Sequence, residues 1–323
     1  MPASPRDLPA WTLAADALRA GQPAALLCVV RSGGSSPGRQ GFKMAVTLEA
    51  VAGSIGGGVM EHKWVELARE RLRQGNHAPL LRPQIHRREA PANRSGMMCA
   101  GEQEVLLWPL QPSDLAQVAA IEAAVRQLGG GAGWEVSEAT GLRLTAAAPP
   151  GFYDYQPGPA WCYGERLGFR DELVIVGGGH VSLALSRLAA SLEFEITVLD
   201  DRPDMPTLTA NEAAHHTELV NYETLVISPG PHRYVVVMTV GYRTDAVVLR
   251  CLLGQPYRYL GVMGSTAKVA ELRRVLTEEG FDVSTLRGPI GVPINSRTPE
   301  EIAVSVAAEL IAARNSPPTV LPG

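Results

Sequence analysis

The sequence predicts an α/β protein in two parts: a parallel sheet wrapped by helices in the C-terminal half and a smaller α/β domain before it. Three observations predict this. From residue 171 onward, short apolar runs alternate with amphipathic stretches. A glycine loop, "VGGGH" at 176–180, stands between an apolar run and a helical pattern. A second glycine loop, "GSIGGGVME" at 53–61, stands at the head of a helical pattern in the N-terminal half.

In the C-terminal half, "ELVIV" (172–176) reads as a strand, 180–192 as a helix and "EITVLD" (195–200) as a second strand. "YVVVMTV" (234–240) is a continuous apolar run, as expected of a strand covered on both faces. A helix over 245–253 and the strand "YLGVMG" (259–264) follow. "TAKVAELRRVLTEEG" is an amphipathic helix stopped by Gly280. The last helix starts with Thr298 as N-cap, Pro299 in the first helical position and Glu301 completing a capping box.

In the N-terminal half, "AADALRAG" (14–21) reads as a helix, "AALLCVV" (24–30) and "FKMAVTL" (42–48) as strands, and "RSGGSSPG" (31–38) as a turn-rich loop. On the helix after the first glycine loop, Trp64, Val65, Ala68 and Leu72 share one face, leaving Glu61, Lys63, Glu66, Arg69 and Arg73 to water. "EVLLWPL" (104–110) reads as a buried strand. Residues 129–170 are rich in Gly, Pro and aromatics, and read as an irregular linker packed by its rings. The expected division is 1–128, the linker 129–170, and 171–323.

Apolar residues make up 46% of the chain and charged residues 19%, with a net charge of −4, which suits a globular protein that binds neither nucleic acid nor membrane. The basic run "HRRE" (86–89) reads as a solvated strand end. Four scattered cysteines without a CxxC pair argue against a zinc site and suit a reducing cytoplasm. No signal-peptide core and no run of 18 apolar residues is seen.

The second glycine loop carries the chemistry. Gly177 and Gly179 match the first two glycines of a dinucleotide fingerprint, with Gly178 between them and Ser182 in the third position. Such a turn lets a diphosphate approach the unpaired N–H groups of a helix N-terminus. Asp200 ends the next strand, 23 positions after Gly177, where an acid accepts from a ribose hydroxyl; Asp201 and Arg202 follow it. Strand, loop, helix, strand and acid in that order specify a Rossmann-like unit, whose turn either binds a nucleotide-like ligand or serves structure alone. His180 either touches the ligand or caps the turn. The first loop lacks the lysine and hydroxyl of a P-loop, but Gly56, Gly57 and Gly58 are expected to direct backbone donors above their helix. Glu309 falls on the apolar stripe of Ile302, Val306 and Ala313 and needs a partner: an ion pair or a backbone N–H, with a ligand contact as the alternative. His215 and His216 lack the i, i+4 spacing of helical metal ligands, so no metal is expected there. Cys28 and Cys251 read as core.

The segments "VVRSGGSSPGRQGFKMAV", "GSIGGGVME", "MMCAGEQEVLL", "LVIVGGGHVSLAL", "VLDDRP", "YVVVMTVGYRTD", "YLGVMGSTAKVAEL" and "GPIGVPINSRTPEEIAVSVAAEL" resemble, in order, the xanthine dehydrogenase accessory proteins of the XdhC/CoxI type. The resemblance implies an XdhC-type N-terminal domain and a C-terminal Rossmann domain. It also implies a maturation chaperone that binds molybdenum cofactor, as molybdopterin or its dinucleotide form. Such a chaperone assists sulfuration of the cofactor, with a cysteine desulfurase as partner, and its insertion into a xanthine dehydrogenase-like molybdenum hydroxylase. A cytoplasmic homodimer is implied as well. Where the family often has cysteine after the glycine run this chain has Val59, and where it often reads "MTHDH" or "MTHGH" this chain reads "MTVGY", with Val240, Gly241 and Tyr242. Cys99 keeps a family cysteine and is the candidate thiolate for sulfur or cofactor. Two helix N-termini gripping the two ends of a pterin dinucleotide would explain the two glycine loops. The alternatives are an NAD(P)-dependent oxidoreductase, for which no YxxxK spacing is found, and a non-catalytic scaffold with a vestigial Rossmann site.

Overall fold

A computed structural model describes residues 2–85 and 101–316, which form two compact units, Ser4–Gly168 and Phe169–Gly323 with Met1–Ala3. The first unit opens with α1 (Leu8–Arg19), whose Trp11, Ala14, Ala15 and Leu18 are buried on one face. An antiparallel sheet follows in the order β3-β2-β1-β5-β4, from β1 (Ala24–Gly34), β2 (Lys43–Thr47), β3 (Val51–Gly53), β4 (Leu80–Ile85) and β5 (Gly101–Leu110). One face of the sheet packs on α1 and α3 (Leu115–Arg126). The other, through Leu27, Met44, Val46 and Leu107, packs on Trp64, Val65 and Ala68 of α2 (Gly58–Arg73), the face its periodicity predicts.

The region expected to be an irregular linker is instead a four-stranded antiparallel sheet. It comprises β6 (Gly133–Ser137), β7 (Gly141–Thr145), β8 (Tyr153–Gln156) and β9 (Cys162–Arg166), in the order β7-β6-β9-β8. Its rings do pack: Trp134 lies edge-on to Trp11 at 5.1 Å and to Tyr163 at 5.6 Å, in the core of the first unit. Alternating inward residues, Trp134 with Val136 and Leu142 with Leu144, build these strands between turn glycines.

This packing encloses a charge network. The Lys43 side chain is fully buried; its Nζ donates to both Glu165 oxygens at 2.8 Å and to Gly41 O at 2.7 Å, and lies 2.6 Å from Asp7 Oδ2. Tyr163 donates its hydroxyl proton to Glu165 at 2.8 Å. Burial pushes the Glu165 pKa up to about 7, against the pull of Lys43. Burial alone would lower Lys43, but Asp7 and Glu165 outweigh it and keep the amine protonated. A Glu pKa raised from 4.5 to about 7 means that, between those values, the folded chain holds a proton the unfolded chain has released. The associated stability is complete below pH 4.5 and is lost as pH rises through about 7, by at most about 3 kcal/mol. Glu165→Gln is therefore expected to flatten this slope in urea unfolding followed by tryptophan fluorescence. All five tryptophans lie in this unit, so the signal reports on it alone. A slope unchanged by the substitution would count against the assignment.

The second unit is a parallel five-stranded sheet in the order β12-β11-β10-β13-β14. Its strands are β10 (Asp171–Val176), β11 (Phe194–Asp200), β12 (His216–Leu219), β13 (Gly230–Val237) and β14 (Tyr257–Val262). α4 (His180–Ser191) and α8 (Pro299–Asn315) cover one face; α6 (Tyr242–Leu252) and α7 (Thr266–Glu278) cover the other; α5 (Pro206–Thr209) is a single turn after β11. The Thr298–Glu301 capping box is present as expected. Glu309 finds a backbone partner, accepting from Gly291 N–H. Cys28 is buried, while Cys251 is only partly covered at the edge of the core. No described helix is long and apolar enough to cross a membrane.

Candidate functional site

In a parallel sheet, ligands bind outside the carboxyl ends of the strands where the strand order reverses. Here the order reverses at β10, whose connection leads outward to β11 while β13 lies on its other side. The reversal point is therefore flanked by the 177–180 turn and by the segment after β13, the divergent "MTVGY". These two are in contact. Gly177 has φ +110°, and a Cβ there would collide with the carbonyl of Met238. Met238 N–H donates to Val176 O at 2.8 Å.

The turn is held from below by a carboxylate. Asp200 is fully buried; its Oδ2 accepts from Gly178 N–H at 2.6 Å, and its Oδ1 accepts from Arg202 N–H at 2.9 Å. Arg202 adds a fork, Nε to Oδ1 and a terminal nitrogen to Oδ2, both at 2.8 Å. Burial raises the Asp200 pKa, but Arg202 and the two N–H groups outweigh it and hold it below the usual carboxylate value. Asp200 is thus no free acceptor for a ribose: both oxygens are consumed in shaping the turn. Asp201, with 44% of its side chain exposed, is the open carboxylate at that strand end.

Above the turn the picture differs. The N–H groups of Gly179, His180, Val181 and Ser182 have no partner among the described residues, as expected for a helix N-terminus. His180 is exposed at the first helical position. Gly179 has an extended backbone, and a Cβ there would meet nothing within 4 Å. The open donors and the empty space over Gly179 fit a diphosphate; the enclosed Asp200 does not fit ribose recognition.

The first glycine loop is arranged in the same way by another acid. Glu61 Oε2 accepts from Ser54 Oγ at 2.6 Å and from the N–H groups of Ile55 and Gly57 at 2.9 Å each. Gly56 N–H donates to Ser54 Oγ at 3.1 Å. Two of the backbone donors expected to reach a ligand, those of Gly56 and Gly57, are therefore spent within the loop, and Glu61 is not simply a water-facing residue of α2. Gly56 has φ +124°, and a Cβ there would collide with the backbone of Gly38. The loop packs on the "SSPG" segment, where Ser36 Oγ donates to Gln103 Oε1 at 2.8 Å, and Gln103 in turn donates to Gln84 at 2.8 Å. Three of the motif segments thus converge. Val59 is 60% exposed at the start of α2. A cavity of about 150 Å³ beside α2 is lined by Met60, Lys63, Trp64, Leu67 and residues 82–84, and includes none of the loop glycines. Cys99 and the "HRRE" run lie outside the described residues.

A cluster that the sequence reading missed lies after β13 and β14. Asp245, fully buried in the first turn of α6, accepts from Thr239 Oγ1 at 2.6 Å and Thr239 N–H at 3.2 Å, and forms an ion pair with Lys268. Both residues fall in motif segments, but 23 positions separate them and only the fold joins them. His215 Nδ1 accepts from Ile196 N–H at 2.9 Å, so that ring braces a strand end. Among the described residues no three His, Cys, Asp or Glu side chains gather as metal ligands do.

These features define a class: an α/β protein with a Rossmann-type unit whose glycine turn is carboxylate-braced and open above. Family models place it further. That of the XdhC Rossmann domain matches residues 173–310, and that of the XdhC and CoxI family matches residues 17–82. The chain belongs to the XdhC and CoxI family. In Escherichia coli (strain K12) an uncharacterized protein, YqeB, is 32% identical over 157 residues, which are 47% of this chain and 29% of that protein. A probable xanthine dehydrogenase subunit of Bacillus subtilis (strain 168) is 31% identical over 152 residues, 46% of this chain and 45% of that protein. The matches thus span less than half the length of either curated relative. A crystal structure described as a xanthine dehydrogenase from Bacillus halodurans shares the fold, with a TM-score of 0.70 over 97% of this chain and 98% of that one, at 21% identity.

Proposed function

We propose that this chain is an accessory protein of molybdenum hydroxylase maturation. In this reading it holds molybdenum cofactor and delivers it to a xanthine dehydrogenase-like client, with a cysteine desulfurase supplying sulfur. The observation that carries the reading is the turn at 177–182, open above and braced below, in a chain with both XdhC-type domains. Gly179, His180 and Val181 would hold the phosphate or diphosphate of the pterin by backbone N–H groups at a helix N-terminus. When bound, the cofactor supplies the molybdenum centre that the client uses. The residues of this chain bind and orient it. The name of the Bacillus subtilis relative supports a xanthine dehydrogenase as the client class. The enclosed Asp200 weighs against an NAD(P)-dependent oxidoreductase of the ordinary kind, which would need an open acid there.

Gly179→Val tests the turn cleanly. Its backbone suits valine and no neighbour obstructs the side chain, so the fold should stand. The branched side chain would occupy the place of the phosphate, and affinity for a pterin dinucleotide, measured by calorimetry, should fall at least about tenfold. Unchanged affinity in a folded variant would make the turn purely structural.

A further inference from the structure

The Asp245–Lys268 pair lies at the same end of the sheet as the braced turn. Met238 N–H donates to Val176 O and Met263 N–H donates to Val237 O, both at 2.8 Å, so the ends of β10, β13 and β14 are joined in sequence by backbone bonds. Strands lie about 4.8 Å apart, which puts the β14 end roughly 10 Å from the turn, within the length of a nucleotide. Lys268 belongs to the first turn of α7, whose N-cap Ser265 accepts from Lys268 N–H at 3.2 Å. Its Nζ reaches back to donate to Met263 O at 3.1 Å and to pair with Asp245.

The two members of the pair are not equally enclosed. Asp245 is fully buried, with its other oxygen taken by Thr239. Lys268 keeps 22% of its side chain exposed. An ammonium carries three donors, and here two go to Asp245 and Met263. The carboxylate is thus a fixed support beside a partly exposed lysine that has a third donor left over.

We propose that Lys268 is an anion-binding residue of the crevice, taking a phosphate or comparable oxyanion of the ligand seated on the 177–182 turn, with Asp245 and Thr239 as the residues that position it. The inference rests on reading that turn as a ligand site, and it makes the ligand one with anionic groups at both strand ends.

The test is a calorimetric titration of the full chain with inorganic pyrophosphate and with ADP-ribose, at low and high salt. The lysine variant is Lys268→Met combined with Asp245→Asn, which leaves no buried charge unpaired. Lys268→Gln combined with Asp245→Asn, which keeps a polar side chain at both positions, replaces it if folding suffers by circular dichroism. Wild-type protein should bind both probes, and Gly179→Val should bind neither. The lysine variant should bind pyrophosphate about tenfold or more weakly, with a shallower salt dependence, and Lys268→Arg should restore much of the loss. Wild-type affinity and salt dependence in the lysine variant, with Gly179→Val still defective, would overturn the role of Lys268 and leave the turn standing. No binding of either probe by wild-type protein would overturn both.

Discussion

Replacing Lys43 by methionine is expected to destabilise the Ser4–Gly168 unit by about 3–5 kcal/mol, the largest effect of any single substitution considered. Methionine fills a similar volume, so packing is nearly kept. The charge is not: Glu165 and Asp7 would be left with no cation between them, Glu165 with only 3% of its surface exposed. Removing one partner of a buried pair leaves the desolvation cost uncompensated. Urea unfolding followed by tryptophan fluorescence should show the loss, and it should be larger at pH 8 than at pH 5, because Glu165 takes up a proton as pH falls below about 7. A midpoint within experimental error of the wild type at both pH values would mean that the network contributes nothing to the fold.

Alanine at Gly177 is expected to be nearly as damaging, at roughly 3 kcal/mol or more. The positive φ disfavours any Cβ, and this Cβ would be driven into the Met238 carbonyl. The turn would move, Gly178 N–H would leave Asp200, and ligand binding should go with it. Gly56→Ala should act alike at the first loop, against the backbone of Gly38. Gly179→Ala serves as the control, since no neighbour meets its side chain. Thermal unfolding of the four proteins should rank Gly179→Ala with the wild type and well above the other two. Equal melting temperatures for all four would show that the turns tolerate side chains and that the close approaches do not matter.

What was legible in the sequence was what neighbouring residues decide. The strand, turn and helix around Gly177 and the capping box at Thr298 are local, and both stand where the spacing puts them. The strands β6 to β9 read as linker because glycine and proline dominate the composition there, although Trp134 with Val136 and Leu142 with Leu144 carry the two-residue period. Lys43 sits inside an apolar run, a signal that it must find partners, but Asp7 and Glu165 are remote in sequence and only the folded chain brings them to it. The distance from Gly177 locates Asp200 but not its role: spacing places an acid at a strand end without saying whether it faces a ligand or, as here, the turn. Helical periodicity puts Glu61 among water-facing residues because it ignores the loop before the helix. Its place in the first turn, within reach of the N–H groups of Ile55 and Gly57, was the available signal.

The central claim, that this chain holds molybdenum cofactor, is tested most directly by purifying it from cells that make the cofactor. Bound molybdenum is then measured by metal analysis, and bound pterin by fluorescence after oxidation. The account predicts molybdenum and pterin together, approaching one of each per chain, and both greatly reduced in folded Gly179→Val. Folded wild-type protein that carries neither, from cells shown to contain the cofactor, would contradict it.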